Sequence, residues 1–255
     1  MPNLLQIQAF REKYAAKTIV SRNEIKLLAE NFSKPTHAIK SLFVQRGLDD
    51  HIIDYFESQK SANIVLLFID ITDFSSKCRS WPNSTLSTYL DDYYDKVIKL
   101  IYHHGGEVEK IIGDGIICMF GEPFLTGTKA HLFQTADACA KDIIVEAKGS
   151  SREVKIALHD GEIMYYKNKS ENFPEYTMIG KPLTELFRLE SVATNNSINY
   201  FHVSDYDSCS FCTEGVYKYS LNNTHSYWKK SGVVKVDLKG VEWTFIKNFT
   251  CTYKT

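Results

Sequence analysis

The spacing of apolar residues changes from helical to extended near residue 60. Before this point, Leu28 and Phe32 lie four positions apart among helix-forming residues, which predicts helical structure. Every residue from Ile64 to Ile69 is apolar, and such a run is typical of a strand that is buried on both faces. We therefore divide the chain into an N-terminal helical segment, residues 1–60, and a folded domain, residues 61–255. We interpret the helical segment as a cap or dimer-forming arm, with a partner-binding segment that gates the dimer as the alternative.

The folded domain alternates predicted strands and helices. In chain order the pattern indicates a strand ending at Asp70, a helix over 86–104, strands over 107–112 and 116–120, a helix over 128–146, a strand over 154–158 with a returning strand over 163–166, a helix over 182–192, and closing strands near 233–236 and 243–246. The strand that starts at residue 154 is expected to turn at His159–Gly161. This order predicts an α+β domain, a ferredoxin-like βαββαβ antiparallel sheet with helices packed on one face.

Composition narrows the class of protein. The chain has 255 residues, a formal net charge of −1 and 24% charged residues, so nothing favours nucleic acid as a partner. No apolar run is long enough to span a membrane, and the N-terminus lacks the apolar stretch of a signal peptide, so we expect a cytoplasmic protein without membrane contact. Cys209 and Cys212 form a C-x-x-C pair without a second pair of ligands nearby, and we interpret them as reduced structural thiols rather than a zinc site.

Two aspartates follow neighbouring strands of the predicted sheet. Asp70 ends the buried strand, and Asp114 occupies a turn between two glycines. Because converging carboxylates repel each other, a divalent cation would stabilise the pair, and Mg²⁺ or Mn²⁺ prefers such oxygen ligands. Asp-Gly is also common in ordinary hairpin turns, so the spacing alone leaves both interpretations open.

Three stretches around these aspartates resemble the catalytic domain of class III adenylate and guanylate cyclases. They are FIDITDFS at 68–75, GGEVEKIIGDG at 105–115 and MFG at 119–121, within a resemblance that covers residues 61–247. The resemblance implies a nucleotidyl cyclase, which converts a nucleoside triphosphate to a 3′,5′-cyclic nucleotide and pyrophosphate with two Mg²⁺ or Mn²⁺ ions per site. In this family one protomer supplies the metal ligands and its partner supplies the base and phosphate contacts. A homodimer with two shared active sites is therefore also implied.

The resemblance assigns roles to the positions that match the first two stretches. The implied metal ligands are Asp70, Asp114 and the carbonyl of Ile71. The backbone N–H groups of the turn that includes Phe74 and Ser75 are implied to bind the phosphates of the substrate.

Other matching positions complete the implied site from the partner protomer. Lys110 and Thr177 match the base-recognising positions, Arg188 the arginine that stabilises the transition state, and Lys239 the lysine that binds the triphosphate. Thr184 departs from the family, which usually has an asparagine there to orient the ribose; a threonine hydroxyl lacks the amide donor pair. This departure favours one alternative, a catalytically weak nucleotide-binding module.

The side chain of Lys110 bears on the choice of base. An ammonium group donates hydrogen bonds and accepts none, so it suits an accepting ring nitrogen, as in adenine or cytosine. Guanine and uracil carry an N–H at that ring position. The chain also resembles the stand-alone pyrimidine cyclases of Pycsar anti-phage systems, because it is short and shows no receiver, membrane or receptor domain. We predict a cyclic CMP product, then cyclic UMP, for anti-phage defence, with an adenylate cyclase that makes cyclic AMP as the alternative.

A diguanylate cyclase is a further alternative. Its signature also begins as Gly105-Gly106-Glu107, but Val108-Glu109 does not continue it. The stretch 112–115 instead fits class III, which we therefore favour.

Overall fold

The computed structural model describes residues 50–167, 176–202, 216–221 and 224–254. The predicted helical structure before residue 50 and the C-x-x-C pair lie outside these residues. The helices are α1 (Asp50–Glu57), α2 (Phe74–Cys78), α3 (Asn83–His103), α4 (Lys129–Ala147) and α5 (Lys181–Glu190). The strands are β1 (Ser61–Ile71), β2 (Glu107–Ile112), β3 (Gly115–Phe120), β4 (Val154–Lys167), β5 (Tyr176–Ile179), β6 (Ser197–Phe201), β7 (Val216–Leu221), β8 (Thr224–Lys230), β9 (Val234–Lys235) and β10 (Phe245–Lys254). No helix in these ranges is long and apolar enough to cross a membrane.

All strands of the described residues belong to one sheet. Its path is β2-β3-β1-β4-β6-β10-β8-β7, with β5 paired to β4 and β9 paired to β10. The pairing of β4 with β6 is parallel, whereas β1 is antiparallel to both of its neighbours, β3 and β4. Helix α3 follows β1 and α4 follows β3, so the first four strands form the predicted βαββαβ arrangement. The predicted α+β class is confirmed.

The side chains of β1 alternate between two apolar layers. Leu67 and Ile69 pack in the layer beneath α3 and α4, whereas Leu66 and Phe68 pack in the layer beneath α1 and α5. A strand that is apolar on both faces needs a cover on both faces. The prediction of helices on one face therefore describes the two long helices, and the shorter α1 and α5 cover the opposite face.

The turn predicted at His159–Gly161 is wrong. Residues 154–167 form the single strand β4, whose register with β1 continues through this stretch and places Gly161 opposite Ile64. The glycine instead makes room for α5, because a Cβ atom at residue 161 would lie 2.4 Å from Cγ of Pro182. As a result, β4 runs along the whole length of β1 and carries a residue beside each end of that strand.

Helix α5 is fixed on the sheet by a polar and an apolar contact. His159 Nε2 on β4 lies 2.9 Å from Glu185 Oε2 on the helix, and both residues are buried. Leu186 and Leu189 pack in the layer that also contains Phe68. These contacts fix the rotation of α5 about its axis. They therefore determine which side chains of the helix lie toward the ends of the strands.

Candidate active site

Asp70 and Asp114 meet where β1 and the β2–β3 hairpin end. Asp114 lies in the turn between β2 and β3, and the preceding Gly113 has a φ of 60°, a left-handed conformation that glycine adopts without strain. The two carboxyl groups are hydrogen-bonded to each other, and the Asp114 carboxylate also lies close to the backbone N–H of Ile71. The structure therefore brings together the three positions predicted to bind metal.

This arrangement makes the ionised carboxylates unfavourable in the metal-free protein. Burial and the neighbouring Asp114 charge raise the pKa of Asp70 to about 6. Burial also raises the pKa of Asp114. A cation between the two groups would offset both effects, because it favours the charged form of each carboxylate.

The turn that carries Asp114 is held from below by α3. The hydroxyl of Tyr94 donates a hydrogen bond to the carbonyl of Gly113. In addition, Gly115 is in close contact with Phe68, since a Cβ atom at residue 115 would lie 2.7 Å from the phenyl ring. The position of the Asp114 backbone is thus set by packing on both sides of the turn.

Lys155 and Glu190 extend the site and were not predicted from the sequence. Lys155 lies opposite Asp70 in the β1–β4 register, and its Nζ atom is 3.4 Å from Asp70 Oδ2 and 2.7 Å from Glu190 Oε1. Burial lowers the pKa of Lys155, but the two carboxylates outweigh burial and raise the pKa overall. One signal was available: Lys155 is a charged residue between the apolar Val154 and Ile156. Its cross-strand partner depends on register, which the sequence does not give.

The donor set of the pair fits a hard divalent cation. Within the described ranges, no three His, Cys, Asp or Glu side chains come together as a metal-binding group. The chain therefore offers Asp70, Asp114 and the carbonyl of Ile71, and the remaining coordination positions are left for oxygens of water or substrate. Oxygen ligands from one or two carboxylates, completed by substrate phosphates, are typical of Mg²⁺ sites.

Phe74 and Ser75 lie at the start of the short helix α2, close to the carboxylate pair in sequence. Asp73 precedes them with a φ of 56°, and its carbonyl accepts hydrogen bonds from the N–H groups of Ser76 and Lys77. The ring of Phe74 stacks on Tyr89 of α3 with centroids 6.2 Å apart. The N–H groups of the first residues of a helix have no partner within the helix, so those of Phe74 and Ser75 are suited to an external acceptor.

Helix α5 presents different residues on its two flanks. Two residues advance an α-helix by about 200°, so Arg188 and Glu190 lie about 160° apart on the shorter arc. Glu190 faces Lys155 of the same chain, whereas Arg188 is exposed, as is Thr184 one turn earlier. The structure does not bring Arg188 or Thr184 to the carboxylate pair of their own chain.

Lys239 is exposed in the loop between β9 and β10. The preceding residue, Leu238, is buried in the same apolar layer as α5. Lys181 at the start of α5 forms a 3.2 Å ion pair with Glu242 of the loop. The loop is therefore held beside α5, and Lys239 lies on the side of that helix rather than beside the carboxylate pair.

Lys110 lies on β2 and Thr177 lies on β5. Glu109, the residue before Lys110, is 4% exposed and lies close to the backbone N–H of Met178, the residue after Thr177. Burial raises the pKa of Glu109 to about 8. Lys110 is exposed and Thr177 is half-buried. The structure thus places the two predicted base contacts near each other.

Two similar proteins match this chain over only part of their length. An uncharacterized protein of Mycobacterium tuberculosis, Rv1320c, is 26% identical over 132 residues, which is 51% of this chain and 23% of that protein. A second mycobacterial protein, Rv1318c, is 26% identical over 132 residues, and the matched stretch is 24% of its length. The match therefore spans about a quarter of each relative.

Solved structures share the fold at low sequence identity. The adenylyl cyclase CyaB from P. aeruginosa has a TM-score of 0.55 and 19% identity, covering 76% of this chain and 95% of that chain. The catalytic core of a rhodopsin-guanylyl cyclase with converted specificity, in complex with ATPαS, has a TM-score of 0.59 and 17% identity over 75% and 97%. A dimeric guanylyl cyclase domain of RhoGC from Blastocladiella emersonii has a TM-score of 0.57 and 17% identity over 77% and 99%.

The sequence family described as the adenylate and guanylate cyclase catalytic domain matches residues 56–229. This stretch contains the carboxylate pair, Lys155, and the helix that carries Arg188. It begins in α1 and ends in β8, so it includes the whole βαββαβ arrangement. The chain belongs to the adenylate and guanylate cyclase catalytic domain family.

Proposed function

We propose that this protein is a nucleotidyl cyclase that converts a nucleoside triphosphate to a 3′,5′-cyclic nucleotide and pyrophosphate. The observation that carries this proposal is the pair Asp70 and Asp114, hydrogen-bonded to each other at the ends of adjacent strands, with raised pKa values. Such a pair is suited to hold divalent cations against a triphosphate, and family membership supports the same reaction.

In the proposed reaction the ribose 3′-oxygen forms a bond to the α-phosphorus. The bond between the α-phosphorus and the oxygen that bridges the α- and β-phosphates breaks. The 3′-hydroxyl proton is released, and pyrophosphate leaves with the electron pair. Two Mg²⁺ or Mn²⁺ ions, when bound, lower the pKa of the 3′-hydroxyl and balance the charge of the leaving group. The chain's own residues orient the reactants: Asp70, Asp114 and the Ile71 carbonyl hold the ions, while Phe74 and Ser75 N–H groups bind phosphate.

The second half of the site comes, in this proposal, from another copy of the chain. Arg188 would stabilise charge on the α-phosphate, Thr184 would contact the ribose, and Lys239 would bind the triphosphate. Support comes from their exposure, since all three side chains face solvent rather than the carboxylate pair of their own chain. A two-fold dimer pairs such a surface with the carboxylates of the partner and creates two equivalent sites.

The base we propose is cytosine, followed by uracil, with a cyclic pyrimidine nucleotide acting as a second messenger in anti-phage defence. The exposed ammonium of Lys110 supports a base with an accepting ring nitrogen, which favours cytosine over uracil. The half-buried hydroxyl of Thr177 can donate or accept and is compatible with either.

Lys110 also supports a second candidate, an adenylate cyclase, because adenine presents the same pattern of acceptor and amine as cytosine. Thr184 supports a third, a nucleotide-binding module with weak catalysis, because its hydroxyl lacks the amide of an asparagine.

The experiment that separates these candidates is incubation with Mn²⁺ and each of the four nucleoside triphosphates, with the products resolved by mass. We expect cyclic CMP and pyrophosphate from CTP, at a higher rate than cyclic UMP from UTP. Cyclic AMP as the main product identifies an adenylate cyclase instead. Release of pyrophosphate from none of the four contradicts the cyclase proposal, and Asp114→Asn is the matched control for each reaction.

A further inference from the structure

His159 of β4 and Glu185 of α5 form a buried pair in surroundings that are mostly apolar. Nε2 of His159 lies 2.9 Å from Oε2 of Glu185, and the two residues are 4% and 9% exposed. Because an ionised carboxylate only accepts hydrogen bonds, Nε2–H is the donor. Nδ1 of the same ring is buried and finds no hydrogen-bond partner among the described residues. Apolar side chains at both positions would leave no such atom, so stability alone does not explain the pair.

The buried pair lies in a row of contacts along one face of β4. His159 is opposite Leu66 in the β1–β4 register, and cross-strand neighbours point to the same face, so both lie beneath α5. Residues 155 and 161 are on this face as well, because each is an even number of positions away. Gly161 leaves room for the first turn of α5, and the ion pair between Lys155 and Glu190 ends the row. The helix is thus held along its whole length by β4.

The rotation of α5 about its axis sets the positions of Arg188 and Thr184. Successive residues of an α-helix are about 100° apart, so Arg188 lies about 60° and Thr184 about 100° from Glu185, on the same side of it. The apolar contacts of Leu186 and Leu189 hold the helix on the sheet, but such contacts are non-directional. A hydrogen bond requires a defined distance and angle, so the buried pair restricts the rotation more closely.

We propose that His159 and Glu185 are positioning residues of the cyclase site, whose hydrogen bond holds α5 at the rotation that presents Arg188 and Thr184 to the nucleotide bound by the partner chain. This inference rests on the proposed function, since it assumes a site that two chains share. A rotation of about 10° moves a side chain at a radius of about 6 Å by about 1 Å. Displacement of a catalytic group by about 1 Å can lower the rate about a hundredfold, so a small rotation is enough to slow the reaction.

Replacement of both partners by leucine separates positioning from stability. The apolar double variant, His159→Leu with Glu185→Leu, leaves no unpaired polar atom at this contact, so it should melt within a few degrees of wild type. We expect its kcat to fall about tenfold to a hundredfold. Its KM should change by less than about threefold, because the proposed metal, base and triphosphate contacts lie outside α5. Initial rates, with products resolved by mass, and thermal unfolding measure these quantities.

The conservative variant Glu185→Gln tests whether the hydrogen bond itself matters. Its amide oxygen accepts the same hydrogen bond from Nε2–H of His159, and the shape of the side chain is nearly unchanged. We therefore expect a kcat within about twofold of wild type. A loss as large as that of the apolar double variant would overturn the inference.

Mixtures of variants show which half of the shared site the buried pair serves. An equal mixture of the apolar double variant with Asp114→Asn should recover about one quarter of wild-type activity, because half of the dimers then contain one site without a substitution. A mixture with Arg188→Ala should recover none, because both variants impair the same half-site. The opposite pattern would show that the pair acts on the carboxylates of its own chain, and would overturn the inference.

The remaining outcomes separate this inference from the proposed function. A wild-type kcat in the apolar double variant overturns the role of His159 and Glu185 and leaves the cyclase proposal standing. A large drop in its melting temperature also overturns that role, since the pair would then serve the stability of the fold. Failure of Asp114→Asn and Arg188→Ala to complement each other overturns the shared site, and this inference with it.

Discussion

Arg188 and Glu190 lie on opposite flanks of α5, although one residue separates them in the sequence. Glu190 forms a 2.7 Å ion pair with Lys155 and therefore belongs to the carboxylate site of its own chain. Arg188 is exposed on the other flank. One short helix thus contributes to two different surfaces, and this geometry supports a site that is completed by a second copy of the chain.

Substitution of a metal-binding carboxylate should remove activity without unfolding the protein. Asp114→Asn keeps the shape of the side chain but loses the charge, so we expect kcat/KM to fall more than about a hundredfold. Circular dichroism should match wild type, because Gly113 and Tyr94 hold the turn independently of the carboxylate. Retention of more than a tenth of wild-type activity would rule out Asp114 as a metal ligand.

Asp70 should make the metal-free protein less stable as the pH rises. Its pKa is about 6 in the folded protein, compared with about 3.9 in an unfolded chain. The folded state therefore binds the proton more tightly than the unfolded chain. The contribution of this group to the free energy of unfolding is present at pH 4 and is lost as the pH rises to 6 and above. Asp70→Asn should remove this loss.

The expected gain from Asp70→Asn in EDTA at pH 7.5 is about 1 kcal/mol. The pKa shift alone corresponds to about 3 kcal/mol, and solvent screening of this partly exposed side chain reduces it. At pH 4 the variant and wild type should differ little. Thermal unfolding at pH 4 and at pH 7.5 measures the difference in stability between the variant and wild type. An equal difference at the two pH values would show that the charge of Asp70 does not cause the loss of stability.

Reversal of the charge at Lys110 should change the preferred base. A glutamate accepts hydrogen bonds, so Lys110→Glu suits the ring N–H of uracil or guanine better than the ring nitrogen of cytosine or adenine. We expect the ratio of kcat/KM for CTP over UTP to fall about tenfold to a hundredfold. Competition assays with both triphosphates measure this ratio directly. Lys99→Glu, an exposed position on α3, should leave it unchanged.

The packing of α5 against β4 makes Gly161 sensitive to substitution. A Cβ atom there would overlap with Pro182, so we expect Gly161→Ala to lower the free energy of unfolding by about 1–3 kcal/mol. Gly232 is the matched control, because a Cβ atom at that residue meets nothing within 4 Å. Chemical denaturation of both variants tests the contact, and equal stability of the two would contradict it.

The sequence predicts those elements of the fold in which the local spacing of apolar residues agrees with the burial seen in the structure. The apolar run before Asp70 and the helical spacing over α3 and α4 each identify an element, and the Gly113-Asp114-Gly115 turn identifies the hairpin. The carboxylate pair follows from the order of these elements. The predicted roles of the site residues follow from family resemblance and still await the experiments described above.

Features that depend on tertiary contacts escaped prediction. The His159–Gly161 stretch resembles a turn locally, but pairing with β1 keeps it extended, and its glycine makes room for Pro182. The place of Lys155 in the site depends on the register that sets it opposite Asp70. Strands β7 and β8 are rich in polar residues, and their pairing with each other and with β10 is a long-range property.

Mixing two inactive variants tests the shared-site cyclase most directly. Asp114→Asn lacks a carboxylate of one half-site, and Arg188→Ala lacks the arginine of the other. In an equal mixture of chains that exchange freely, half of the dimers contain one of each, and one of their two sites has no substitution. We expect recovery of about one quarter of wild-type cyclic nucleotide production, measured by mass spectrometry. Production that stays at the level of the separate variants would contradict it.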